Sequence, residues 1–301
     1  GAGNALLNDD AMGLKLGGVN FGLALMTQQG QATHKWTSLQ ATASSVAFVG
    51  LGSDLTIEAT AVDVKLNQAS LVGDAVVDYA SGKTVLSVPT GNTSTLALNM
   101  DGAKGEYMQA SGLLDINLYG FVSAYGSLAV SKSSQNVKLA TDTAGTTVNE
   151  ATDGVTVDVL TIGGKNLSAF AGVNGGYQRG GDGNVLADGA GNATLNTEAL
   201  GLELRNVEFG LALMTQQGQP THKWTSLQAT AATVGFVGLG SDVTIRATDV
   251  DVQINQASLA GDAVVDYSLV AGSTTVRKTA LSVPTGATSV KTLTLDGAKG
   301  K

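Results

Sequence analysis

Apolar residues along this 301-residue chain alternate with polar ones, slip by one position, and alternate again. Leu55, Ile57 and Ala59 are followed by Val62, Val64 and Leu66. Side chains of a strand point to opposite faces in turn, so each set of three shares a face, and the three-residue step between sets marks a bulge or a tight corner. The same template fits Met12, Leu14 and Leu16 followed by Val19, Phe21, Leu23 and Leu25. It recurs at Leu39, Ala41, Ala43, Val46 and Phe48, and at Val243, Ile245, Ala247, Val250, Val252 and Ile254. Weaker versions occur at Leu96, Leu98, Met100 and Ala103 and at Leu114, Ile116, Leu118 and Phe121, and Val155, Val157 and Val159 begin another. Glu58, Asp63, Lys65, Arg246, Asp249, Asp251 and Gln253 stand at positions the pattern assigns to solvent. Asn67-Gln68-Ala69-Ser70 and Asn255-Gln256-Ala257-Ser258 read either as polar strand ends or as inward or edge ladders of amides.

The sub-repeats lie inside a much longer one. Residues 1–79 return at 189–267, a shift of 188 with 61 of 79 positions identical. The organisation is therefore a first full repeat, 1–188, and a second, truncated repeat, 189–301. Between the shared Tyr79 or Tyr267 and the shared Leu-Ser-Val-Pro-Thr-Gly at 86–91 and 281–286, the second copy carries seven extra residues. Insertions are tolerated where backbone is exposed, so 80–85 and 268–280 are expected to project from the body of the repeat. With no initiator Met and no leader, the sequence reads as a segment of something longer.

Glycine is abundant (40), proline scarce (3) and aromatics only 5% of the chain, which suits many strands joined by tight turns. The expected fold is all-β, a β-solenoid-like stack of short strands, with a string of β-sandwich modules as the alternative. A hydrophobic content of 43% supports a sizeable core built from thin side chains. No apolar run approaches the 18 residues of a membrane-spanning helix, so no membrane span is expected. A net charge of −8 without basic clusters argues against a nucleic-acid partner. The absence of cysteine removes thiolate nucleophiles, disulfides and Cys-based metal sites together.

Chemistry-bearing residues are few. His34 and His222 are the same residue of two copies, each in the string Thr-His-Lys-Trp-Thr-Ser-Leu-Gln-Ala-Thr, with no second imidazole near enough in sequence to complete a metal site. No Gly-x-Ser-x-Gly elbow is present, and Gly50-Leu51-Gly52-Ser53-Asp54 lacks the third glycine and following helix of a dinucleotide loop. These observations point away from an enzyme. Trp36 and Trp224 are the only tryptophans, and if exposed they would make sugar-stacking platforms, so a carbohydrate-binding module for surface glycans is the alternative function. The segment 180–192 has Asp-Gly-Asn followed by a further Asp, as in loops that converge oxygen ligands on calcium. Asp182, Asn184 and Asp188 are the candidate ligands and Ca2+ the one candidate cofactor, against a plain Gly/Asn/Asp turn. Only the tail of that loop, residues 1–4, occurs in the first copy.

Three stretches together carry a resemblance: Leu-Glu-Leu-Arg-Asn-Val-Glu-Phe-Gly-Leu-Ala-Leu-Met at 202–214, Ala-Phe-Ala-Gly-Val-Asn-Gly-Gly-Tyr at 169–177, and the Asp-Gly-Asn loop. In repeat style the chain resembles the very long, tandem-repeat bacterial surface proteins grouped with giant adhesins. The resemblance implies secretion to the bacterial cell surface, end-to-end repetition, and a role in attachment or sheathing. Repeats of that kind often carry Asp-rich calcium loops, whereas Arg179, Gly180 and Gly181 here stand where acidic residues would fall. The expectation is a non-enzymatic, extracellular segment of a filament or adhesin stalk that supplies length and stiffness. Its expected partners are other copies of itself or the rest of a longer chain.

Overall fold

A computed structural model describes residues 7–8, 10–50, 55–80, 82–140, 154–189, 191–240 and 243–299. Both turns named above at 1–4 and 51–54 lie outside the described residues. The chain is all-β. Its first repeat supplies β1 (Gly13–Gly17), β2 (Asn20–Gln28), β3 (Gln31–Val49), β4 (Leu55–Ala69), β5 (Ser87–Pro89), β6 (Thr95–Ala97), β7 (Tyr107–Leu118), β8 (Val122–Lys138) and β9 (Gly154–Val173). The second supplies β10 (Leu200–Gln216), β11 (Lys223–Val237), β12 (Arg246–Ala257), β13 (Ser282–Pro284) and β14 (Val290–Thr292).

Ten strands form one antiparallel sheet in the order β1, β3, β4, β7, β8, β9, β10, β11, β12, with β2 also on β3. β1 and β2 lie end to end beside β3 and together match the single strand β10 of the second copy. They are separated at Gly18, which has φ 57, and the equivalent Asn206 has φ 49 within an unbroken β10.

The phase slips in the sequence are bulges. Ala61, Asn166, Asn206 and Asp249 all hold φ near +50, and the β4–β7 register jumps between Thr60 and Asp63 so that two residues oppose one. A bulge keeps the chain running in the same direction and returns the apolar residues on either side of it to one face. This corrects the expectation of short strands. Two short runs merge into one long one, so β3, β4 and β7 to β12 are 12 to 20 residues each. Each is paired antiparallel to its neighbour. At 114–121 the slip has another cause: Tyr119 (φ 53) and Gly120 (φ 68) make the turn from β7 to β8.

The two faces of the sheet differ. One carries unbroken apolar rows, of which one runs Phe21, Ala41, Val64, Ala110, Val130, Ile162, Leu211, Leu227, Ile254 across all nine strand positions. The other face is polar at its centre and is covered in part by the excursions 70–106 and 258–299, which leave β4 and β12 at the same end of the sheet; the first rejoins it at β7. Each excursion contributes a two-stranded hairpin, β5–β6 or β13–β14, and a short 3-10 turn at Gly102–Lys104 or Gly297–Lys299. The hairpins lie directly on the sheet where it has no side chain. A Cβ on Gly22 would stand 3.1 Å from Val88, and one on Gly210 3.2 Å from Val283.

Candidate functional site: the junction between repeats

The two copies place nearly the same residues in different surroundings, so comparing them isolates what the neighbouring repeat contributes. In the second copy Ala212, Met214, Trp224, Val265, Tyr267, Leu281, Val283, Leu293 and Leu295 form one buried cluster, closed on its far side by Val137, Val157 and Val159 of β8 and β9. Those three valines belong to the first repeat. In the first copy the cluster is smaller, built on Tyr79, Leu98, Met100 and Tyr107, and the equivalents Ala24, Met26, Val77, Leu86 and Val88 are only partly buried around it. Leu281 is 4% exposed and Val283 fully buried, whereas Leu86 and Val88 are half-buried. Among the described residues β2 lies at the sheet edge, with no strand in the place that β9 occupies beside β10.

Hydrogen bonds across the junction are as specific as the packing. Ser127 Oγ donates to Thr285 O (2.9 Å), Lys138 N to Thr279 Oγ1 (2.8 Å), and Leu139 makes an antiparallel bridge with Val265. Ala140 N donates to Val264 O (2.7 Å) and Asp266 N to Lys138 O (2.8 Å). Gly163 of β9 lies beneath the β13–β14 hairpin, where a Cβ would collide with the Pro284 carbonyl. At the rim, Asp158 accepts from Gln217 Nε2 (2.7 Å) and Ser134 Oγ (2.8 Å), and these two hydrogen bonds hold its carboxyl below the ordinary carboxylate range.

Within each copy a buried polar chain fixes the excursion to the sheet. Tyr79 OH donates to Ser38 Oγ (2.9 Å), Ser38 Oγ to Asn67 Oδ1 (3.0 Å), and Asn67 Nδ2 to Val77 O (2.8 Å). The second copy repeats it with Tyr267, Ser226, Asn255 and Val265 at 2.8, 3.1 and 2.7 Å. Thus the asparagines of the two Asn-Gln-Ala-Ser segments point inward and are satisfied singly, not as ladders. Desolvation pushes the Tyr267 hydroxyl well above its ordinary pKa, so it stays a neutral donor.

The histidines also act as pins. His34 Nδ1 is 2.7 Å from Asp74 Oδ2 and His222 Nδ1 2.8 Å from Asp262 Oδ2, joining the start of each long strand to the start of each excursion. A His–Asp pair orients an imidazole for general-base work, but among the described residues no hydroxyl is hydrogen-bonded to either ring.

The sugar-platform expectation is corrected at Trp224. That side chain is 3% exposed within the junction cluster and donates from Nε1 to Ala263 O (2.9 Å), so no sugar ring can reach its face. Trp36 makes the same bond to Ala75 O (2.9 Å) and is half-buried on β3, one strand in from the sheet edge. Its lesser burial accompanies the absence, among the described residues, of strands beside β2 like those that β8 and β9 set beside β10.

The candidate calcium ligands are hydrogen-bonded within two successive turns. Asp182 accepts from Asn184 N (3.1 Å) and Nδ2 (2.7 Å), bonds that lower its carboxyl pKa, and Asp188 accepts from Asn192 N (2.9 Å) and lies 3.7 Å from Arg205. Each aspartate caps its own turn. Among the described residues no three His, Cys, Asp or Glu side chains gather at a metal-binding distance.

The longer excursion loop projects only in part. Val270 and Val276 are exposed, but Lys278 turns back to Asp266 (2.9 Å) and Thr279 is buried under β8. No helix of the described residues is long and apolar enough to cross a membrane. No family model, curated protein or solved structure matches the chain.

Proposed function

We propose that this chain is a non-enzymatic structural segment of a long extracellular filament or adhesin stalk at a bacterial surface, in which length is gained by adding repeats sideways to one continuous sheet. The observation that supports this most is the junction: the second copy's core is completed by valines of the first repeat, and the equivalent residues of the first copy, beside which the described residues place no such strands, are only partly buried. A module that folded alone would bury its own core equally in both copies. Growth is translational, as in a solenoid, although the repeating rung is a set of six antiparallel strand positions. Each 188-residue repeat then adds six strand spacings, about 29 Å at about 4.8 Å each. The partners of this reading are further repeats, each setting its own equivalent of the Val137–Val157–Val159 surface against the core of the next. Electron microscopy of arrays of two, three and four repeats tests it. Rods lengthening by about 29 Å per repeat support it, and separate globules joined by linkers count against it.

A further inference from the structure

The apolar face of the sheet is used neither by the junction nor by the excursions. Leu23, Leu160, Leu213, Phe236 and Val252 on it are between 37% and 48% exposed. Eight spacings between nine strand positions at about 4.8 Å, by nine residue steps from Leu202 to Leu211, the last row without a charge, at about 3.3 Å, give an area of about 1,100 Å2. The largest apolar patch of an ordinary soluble monomer is roughly 300–600 Å2. A stable dimer needs only about 800 Å2 from each partner. Size alone therefore requires a cover.

Charge indicates which cover. The chain carries a net −8, but Glu58, Asp63, Asp115, Glu203 and Glu208 alternate with the apolar rows and so lie on the opposite face. Among the described strand residues, charged side chains reach the apolar face only towards one end, at Lys132 and in the rows beyond it. Two copies meeting apolar face to apolar face would keep their carboxylates apart, separated by both sheets. An anionic surface, by contrast, finds no band of cations to bind.

We infer that this face packs against the same face of a second copy, two sheets about 10 Å apart in a laterally doubled filament. Near the middle of the face, around Gly112, Ala59, Val62 and Ala110, the small side chains leave a shallow depression of about 190 Å3 walled by Leu114 and Leu128. It accepts an aliphatic side chain of the partner. The contact is separate from the repeat junction, so either can fail while the other stands.

Sedimentation velocity of the full chain over a range of concentrations tests the inference. The expected species has twice the 30.3 kDa of one chain. The double variant Val130→Lys, Leu213→Lys should sediment as one chain with an unchanged circular dichroism spectrum. If that variant does not fold, Leu23→Lys with Val252→Lys, both 44% exposed, should give the same loss of the dimer. A monomer at every concentration overturns the inference. So does a dimer that persists in the folded lysine variants, because it would be held through strand edges. Flotation of the unaltered chain with neutral phosphatidylcholine vesicles, in place of dimer formation, overturns it in favour of a lipid cover.

Discussion

Leu86 and Leu281 occupy the same position of the two copies, and truncating each to alanine measures the junction directly. Leu281 is 4% exposed against the Val137, Val157 and Val159 side, and its removal leaves a cavity walled by both repeats. Leu281→Ala should therefore cost about 3 kcal/mol, within the range for a fully buried leucine. Leu86 is half-buried with no strand over it, so Leu86→Ala loses about half the transfer energy and leaves an open dent that water fills, roughly 1 kcal/mol in all. Leu98 and Leu293 are buried in both copies, at 4% and 0%, and serve as the control pair. Native-state hydrogen exchange resolves the copies separately. Amides of β11 and β12 in Leu281→Ala should lose about 150-fold in protection, those of β3 and β4 in Leu86→Ala about fivefold, at about 1.4 kcal/mol per factor of ten. The control substitutions should lower protection about equally in the two copies. Equal losses from Leu86→Ala and Leu281→Ala would mean that the neighbouring repeat contributes nothing, and the reasoning fails.

Three further outcomes follow from the same geometry. Gly163→Val should lift the β13–β14 hairpin off the sheet, because a Cβ there meets the Pro284 carbonyl and stands 2.8 Å from Val283; a loss of about 2 kcal/mol by urea denaturation is expected, and an unchanged midpoint would refute the docking. Asp266 is pushed up by burial but held down more strongly by Lys278, Ser268 N and Gly297 N, so its carboxyl titrates below the ordinary value. A depressed folded pKa contributes stability above the unfolded value of about 3.9 and loses it as pH falls through the folded one. Melting temperature should therefore fall steeply below about pH 4 and less steeply in Asp266→Asn, and identical acid profiles would exclude the carboxylate as the cause. Ala61→Gly should raise stability by about 0.5–1 kcal/mol in the same denaturation assay, because Ala61 sits at φ 50, where a Cβ is strained; a loss would show that the bulge carries no strain.

The all-β class and the sidedness of the strands were legible in the sequence because period-two alternation is written residue by residue. The length of the strands was not. A three-residue slip such as Ala59 to Val62 is the same on paper for a corner and for a bulge, and the sign of φ at Ala61, which separates them, depends on the partner strand β7. The repeat was plain from identity, but the junction could not be read from it. Leu86 and Leu281 are the same letter, and what buries one of them is β8 and β9, which follow the first excursion and lie outside the duplicated block. Trp36 and Trp224 illustrate the cost: rarity suggested exposure, whereas the fold uses the indole of Trp224 as core with its N–H satisfied by Ala263 O. The Tyr–Ser–Asn chain left a signal, since all three residues recur at identical spacing, although polar residues so spaced declare contact only once the excursion is seen to fold back. The aspartates at 182 and 188 matched a ligand pattern locally but are bound to their own turns, a distinction set by side-chain rotamers and not by spacing.

A distance between the two copies tests the continuous sheet most directly. The chain has no cysteine, so spin labels placed at Lys35→Cys and Lys223→Cys, equivalent exposed sites on β3 and β11, report one pair without background once the labelled chain is diluted into an excess of unlabelled chain. Six strand spacings separate these strands, which places their backbones about 29 Å apart. Pulsed electron paramagnetic resonance should give one narrow distribution near that value, whereas a broad distribution, or a separation well beyond it, would contradict a single sheet running through both repeats.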